Sequence, residues 1–182
     1  MAAKTGKSMK HKRVLETPRI SLTINGQVYE LEVGGAPDQV DPAHTLAHTL
    51  RETLGLVGTK ISCDNGACGC CTVLMKEKAV LSCMILTVEC DGNRITTIEG
   101  LTDPGTRQLD PLQQAFIDHT AFQCGFCTPG IIMSAKALLH ENPSPTEEEV
   151  KQGLSGNFCR CISHYHVVKA VMAASDKGRG GK

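Results

Sequence analysis

Eight of the chain's ten cysteines fall into two sets of four, each with its own spacing. The first reads Cys63-x4-Cys68-x2-Cys71 and closes with Cys83; the second reads Cys124-x2-Cys127 followed by Cys159-x-Cys161. Three thiolates on one tight loop, completed by a distant fourth, is the plant-type spacing for a [2Fe–2S] cluster. Such a loop must let backbone pass close to sulfur and donate N–H bonds to it. Gly66 and Gly69 give that freedom, since a residue without Cβ adopts positive φ at little cost. Cys70 and Cys71 compete for the third ligand position. The x2 spacing selects Cys71 and leaves Cys70 as a packed small residue, while Cys90 reads as a buried, inert thiol.

The second set differs in kind. Cys124 and Cys127 fall in the break between the first and second of four helical patterns, and Cys159 and Cys161 fall just before the fourth. The pairs can therefore meet at neighbouring helix ends, where N-terminal dipoles favour an anionic group. Cys-x2-Cys pairs alone do not separate iron from zinc, because both take four thiolates. The x4-x2 spacing and the tight Cys159-x-Cys161 pair favour clusters. Two other readings stay open: a zinc-stapled interaction protein, and a free-standing two-cluster ferredoxin. Against the last stands the balance of 19 basic and 19 acidic residues, because soluble ferredoxins steer by a strong negative surface.

Composition narrows the setting. Ten cysteines without a secretory h-region suggest metal or redox work in a reducing compartment, hence a cytoplasmic protein. With no Trp and six other aromatics, base-stacking platforms are not expected, so nucleic acid is not a partner. No apolar run approaches a membrane span. Residues 1–19 carry Lys4, Lys7, Lys10, Lys12, Arg13 and Arg19 against Glu16 alone, and read as a basic flexible tail; residues 176–182 read as a second one.

The hydrophobic period changes along the chain. Residues 20–100 are mostly strand-like. Ile20, Leu22 and Ile24 alternate, Asn25-Gly26 supplies a primed hairpin turn, and Tyr29, Leu31 and Val33 return. Residues 45–54 predict one short helix, with Leu46, Leu50 and Leu54 on a face and Gly55 to stop it. Residues 72–75 and 80–81 predict a hairpin with Cys83 at or just after its second strand. Residues 85–89 and 94–98 predict further strands. Residues 101–109 read as a linker, and residues 110–175 take the 3.6 period as four helices. Asp110-Pro111 opens the first and Thr128-Pro129 the second. Ser144-x-x-Glu147 or Thr146-x-x-Glu149 caps the third. Residues 161–174 form the fourth, with Val167, Val168 and Val171 inward.

Three segments carry a resemblance: Cys63-Asp-Asn-Gly-Ala-Cys-Gly-Cys-Cys-Thr-Val-Leu, Gln123-Cys-Gly-Phe-Cys-Thr-Pro-Gly130 and Gly156-Asn-Phe-Cys-Arg-Cys161. They resemble the signature loops of the small iron–sulfur subunit of the molybdenum hydroxylases, the family of xanthine dehydrogenase, aldehyde oxidoreductase and aerobic carbon monoxide dehydrogenase. The resemblance implies an α+β fold, with an N-terminal ferredoxin-like β-grasp domain and a C-terminal four-helix bundle. It implies one [2Fe–2S] cluster in each, on Cys63, Cys68, Cys71 and Cys83, and on Cys124, Cys127, Cys159 and Cys161. It further implies two partners, a large subunit carrying molybdopterin and a medium subunit carrying FAD, assembled as a heterotrimer or a dimer of heterotrimers. In that scheme Gln123 and Cys161 contact the pterin, and electrons pass singly from molybdenum to flavin. This chain would turn over no substrate alone, since nothing in it resembles a catalytic acid–base pair. Three departures stand out: Ser62 where Gly is usual, Cys70 where Ala is usual, and Ile162-Ser163-His164 where Thr-Gly-Tyr is usual. His164 is expected to cap the last helix or to meet a partner. His44 and His48, at i and i+4, read as a solvated or interface face rather than a metal site.

Overall fold

The alternating apolar residues of Arg19–Ile24 (β1) bury one face and leave the other half-exposed, as a one-sided sheet requires. Asn25 and Gly26, at φ 52° and 82°, turn the chain into the antiparallel Gln27–Glu32 (β2). Positive φ at both central residues matches the twist of the flanking strands. The computed structural model describes residues 17–179, with side chains as far as residue 176. Most of the basic tail expected over residues 1–19 therefore lies outside the described residues.

Three further strands complete a mixed sheet: Thr72–Met75 (β3), Lys78–Leu81 (β4) and Arg94–Thr96 (β5). The order is β2-β1-β5-β3-β4, with β1 and β5 parallel and the other pairs antiparallel. Leu22, Ile24, Val73, Ile95 and Cys90 pack beneath Leu46 and Leu50. The β3–β4 turn is made by Lys76 and Glu77, both at positive φ.

Three expectations in this half need correction. The helix expected over residues 45–54 is a short α-helical turn, Leu46–His48 (α1), continued by a π-helical turn, Thr49–Thr53. Leu54 N–H reaches the Thr49 carbonyl, five residues back, at 3.0 Å. The strand expected over residues 85–89 is instead irregular chain leading into a 3-10 turn, Thr87–Cys90. Its β-branched composition favours a strand, but buried hydroxyls decide otherwise. Thr87 Oγ1 pairs with Thr49 Oγ1 at 2.7 Å and donates to the His44 carbonyl at 3.1 Å. Residues 94–98 also yield a shorter strand than expected, because another 3-10 turn, Ile98–Leu101, follows.

The remaining chain forms four helices: Pro111–Asp118 (α2), Thr128–Glu141 (α3), Glu147–Gly153 (α4) and His164–Arg179 (α5). Asp110 caps α2 as expected, its carboxylate accepting from Leu112 N–H at 2.9 Å. Of the two capping boxes offered before α4, Thr146 and Glu149 make the one observed. Thr128 does not cap α3: it is the first helical residue, and Cys127 occupies the cap position. The last helix starts at His164, so Cys161 lies in the loop before it rather than at its first turn. Leu112, Phe116, Ile131, Val150, Val167 and Val171 share one core. A smaller one joins the halves, with Leu74 of β3 against Met133 and Ala137 of α3. The fold is α+β, as the sequence predicts. Among the described residues no helix is long and apolar enough to cross a membrane.

Candidate metal centres

The loop over residues 63–71 has no regular structure, and its shape comes from positive φ at Asp64 (52°), Gly66 (77°) and Gly69 (72°). That curvature turns backbone N–H groups inward. Cys63 is held below its ordinary value, to about 7, first by the Asn65 N–H, then by the Cys68 thiol and by the N–H groups of Ala67 and Cys68. Cys83 sits in the turn Ser82–Met84 directly after β4, as the sequence predicts. Buried Ser82 fixes the far side of the loop, its hydroxyl donating to the Cys71 carbonyl at 2.6 Å. Burial pushes Cys83 up to about 11, and its hydrogen bond to Cys71 adds to this. The structure thus brings Cys63, Cys68, Cys71 and Cys83 together.

The second set is assembled from two loops. Cys127, at the cap of α3, is buried, whereas Cys124 and Cys161 are exposed. Cys161 Sγ lies 3.7 Å from Cys124 Sγ. The N–H groups of Cys161 and Ile162 point at Cys159 Sγ, at 3.4 and 3.3 Å. Burial pushes Cys127 up to about 12, followed by its bond to Cys159. Burial opposes ionisation of Cys159 too, but the Ile162 N–H, the Cys127 thiol and the Cys161 N–H together hold it below its ordinary value. Cys161 is raised, first by its bond to Cys124.

These donor sets suit a cluster. All the candidate donors are thiols, all ten cysteines are free, and backbone N–H groups already aim at the sulfurs, as iron–sulfur sites require. Each set offers four thiols, the number that a cage of two irons needs.

The two sets are neighbours. A cleft of about 380 Å³ is lined by Cys68 and Cys70 from the first loop and by Cys124, Cys127, Cys159 and Cys161 from the second. Phe158 N–H donates to the Cys68 carbonyl at 3.0 Å. The Gly69 carbonyl accepts from Thr72 Oγ1 at 2.8 Å and from Asn157 Nδ2 at 3.1 Å. A Cβ on Gly130 would fall 2.2 Å from that same oxygen. Ser82, Gly130 and Asn157 are positioning residues that spacing rules do not flag, although Gly130 and Asn157 lie inside the signature segments. Cys70 is buried, as expected, but it lies between the two thiol sets rather than in a remote core. Burial pushes it up to about 12, with its hydrogen bond to Cys68 next in weight.

Around the second set, Phe122, Phe126, Phe158 and Tyr165 are exposed, and Gln123 beside Cys124 is exposed as well. The cap expected of His164 is supplied by Ser163, whose Oγ accepts from Tyr165 N–H at 3.3 Å; His164 itself is an exposed residue of the first turn. His44 and His48 stack at 4.0 Å between ring centroids, with no third ligand among the described residues.

Comparison with known proteins agrees with this geometry. Residues 25–96 match the family described as 2Fe-2S iron-sulfur cluster binding domain, and residues 97–172 match the [2Fe-2S] binding domain. The chain is a [2Fe–2S]-binding protein. It is 51% identical over 135 residues to the nicotine 6-hydroxylase small subunit of Paenarthrobacter nicotinovorans, covering 74% of this chain and 80% of that protein. It is 39% identical over 158 residues to the nicotinate dehydrogenase small FeS subunit of Eubacterium barkeri, covering 87% and 95%. Among solved structures, quinoline 2-oxidoreductase from Pseudomonas putida 86 superposes with a TM-score of 0.79 at 40% identity, covering 92% of this chain and 99% of that one. The chain belongs to the small iron–sulfur subunits of the molybdenum hydroxylase family, and is a component of an oxidoreductase complex.

Proposed function

We propose that this chain passes single electrons between a large subunit's molybdopterin centre and a medium subunit's FAD, through two [2Fe–2S] clusters. Cys63, Cys68, Cys71 and Cys83 hold one cluster, and Cys124, Cys127, Cys159 and Cys161 hold the other. When bound, each cluster supplies a site that takes up and gives back one electron. The protein's own work is to bring the thiols together, aim N–H groups at them and keep the two sets adjacent. The observation that carries this reading is the single cleft that Cys68 shares with Cys127 and Cys159.

On this reading residues 20–100 and 110–175 are the two cluster-binding units, joined by residues 101–109, and the complex is a cytoplasmic heterotrimer or a dimer of heterotrimers. Gln123 and Cys161 are the pterin contacts, which fits their exposure beside Phe122, Phe126 and Phe158. An apolar rim round an exposed thiolate shields it from water once a partner covers it. His164, relieved of capping, belongs to the same contact face.

The test is an EPR spectrum of the dithionite-reduced complex, with metal analysis. Two overlapping S = 1/2 signals, with four irons and four acid-labile sulfides per chain, are the expected result. A colourless, EPR-silent protein with two zinc ions would replace the reading with a structural role.

A further inference from the structure

We propose that Arg160 supplies the positive charge that raises the reduction potential of the cluster held by Cys159 and Cys161, making it a readier electron acceptor than its thiolates alone would. The inference rests on the ligand assignment proposed above.

Arg160 stands between two of the proposed ligands and lines the cleft that both thiol sets share. The rest of that lining is thiols, Phe126, Phe158 and Ser62, so Arg160 brings its only positive charge. The backbone is held on both sides of it. Before it, Phe158 N–H donates to the Cys68 carbonyl at 3.0 Å, and buried Asn157 donates from its side chain to the Gly69 carbonyl. After it, the N–H groups of Cys161 and Ile162 point back at Cys159 Sγ. Anchors at residues 158 and 162 leave the loop little freedom to carry its cation away from the sulfurs. Arg160 is exposed, and among the described residues no carboxylate forms an ion pair with it. Its charge is therefore not neutralised within this chain. A guanidinium also keeps its proton across the whole pH range of a folded protein, so the effect involves no titration.

The direction of the effect follows from charge. Four thiolates bring negative charge to the site, and reduction adds one more. A neighbouring cation stabilises the reduced form more than the oxidised form, and net charge is one of the quantities that set a cluster's potential. Water and salt screen an exposed cation, so the attraction strengthens when a partner covers the apolar rim around it. Arg160 takes no part in the transfer itself, and no bond to it forms or breaks.

The experiment uses the assembled complex and an EPR-monitored redox titration of the native protein, Arg160→Gln and Arg160→Lys. The second cluster is identified as the one whose signal a Cys159→Ser variant alters. Arg160→Gln is expected to keep four irons and four labile sulfides. Its second cluster's midpoint is expected to fall by up to a tenfold change in the one-electron equilibrium, about 59 mV. The Cys63 cluster should move less. Arg160→Lys keeps the charge, so its midpoint should stay nearer the native value. Unmoved midpoints in Arg160→Gln, with both clusters intact, overturn the proposal alone. A Lys variant that falls as far as the Gln variant also overturns it, since the shape of the arginine rather than its charge would then set the potential. Loss of the second cluster from Arg160→Gln overturns it too, because Arg160 would then build the site rather than tune it. A Gln variant that no longer assembles would assign Arg160 to the partner contact and overturn it likewise. A native protein without two S = 1/2 signals overturns the ligand assignment instead.

Discussion

At the scale of single residues, Cys71 and Cys70 are adjacent, alike and opposite in consequence. Cys71 is tied to the strand pair by Ser82 and faces Cys83, whereas Cys70 turns into the helical core. Cys71→Ser is therefore expected to abolish or badly distort the first cluster's EPR signal, while Cys70→Ala leaves the line shape close to native. The reverse outcome would exchange their roles. Gly130 is the other decisive residue. Adding one methyl there drives it into the Gly69 carbonyl, and overpacking of this kind costs about 1–3 kcal/mol. Gly130→Ala should lower the thermal midpoint and loosen both sites, visible as faster bleaching of the iron–sulfur absorbance under a chelator. The eight proposed ligands were legible in the sequence because ligand spacing is a local grammar. The partner of Asn157 and Gly130 was not, because Gly69 lies 88 and 61 positions away, respectively, and no local rule joins positions so far apart.

At the scale of elements, two turns of the same type test how local chemistry contributes. Asn25-Gly26 suits positive φ, whereas Lys76 and Glu77 adopt it at 49° and 66° with side chains that resist it. The left-handed conformation costs an ordinary residue about 1–2 kcal/mol. Replacing Lys76→Asn together with Glu77→Gly should stabilise the β3–β4 hairpin by about 1 kcal/mol, or about 2–4 °C in Tm for a chain of this length. A lower Tm would mean that the Glu77 contact with His140, at 3.8 Å, outweighs the strain. The capping box of α4 adds a pH dependence. Glu149 is held below its ordinary value first by the Thr146 N–H and then by the Thr146 hydroxyl. A carboxylate depressed by folding contributes stability above its unfolded value, and that contribution is lost as pH falls through the folded value. The Tm gap between native protein and Glu149→Gln should thus be present at neutral pH and close in acid. A gap that is constant across that range would remove the carboxylate's charge from the account. Both turns, and the caps of α2 and α4, could be read from short motifs, whereas the caps of α3 and α5 could not. The strand expected over residues 85–89 could not, because its fate hangs on the pairing of Thr87 with Thr49, a contact that β-propensity does not encode.

At the scale of the whole molecule, four of the six aromatic residues are exposed and lie in segments flanking the second thiol set. Phe158, 62% exposed, is the most open of them. A charge there should hinder burial by a partner, while the Phe158 backbone bond to the Cys68 carbonyl stays in place. Phe158→Asp is expected to reduce co-purification of the large subunit, with an unchanged visible spectrum in the isolated chain. Intact assembly would show that this face is not the docking surface. The change of hydrophobic period made both halves visible in sequence, but not how firmly they meet. That seam has a consequence for exchange between relatives. Gly69 belongs to one half by sequence, and its carbonyl is claimed by Asn157 of the other, with Gly130 leaving room for the approach. A chimaera cut at residues 101–109 would separate the segments most conveniently while dividing lock from key. For anyone grafting these centres into a new carrier, the portable unit is the matched pair of faces, and neither half can be borrowed without its counterpart.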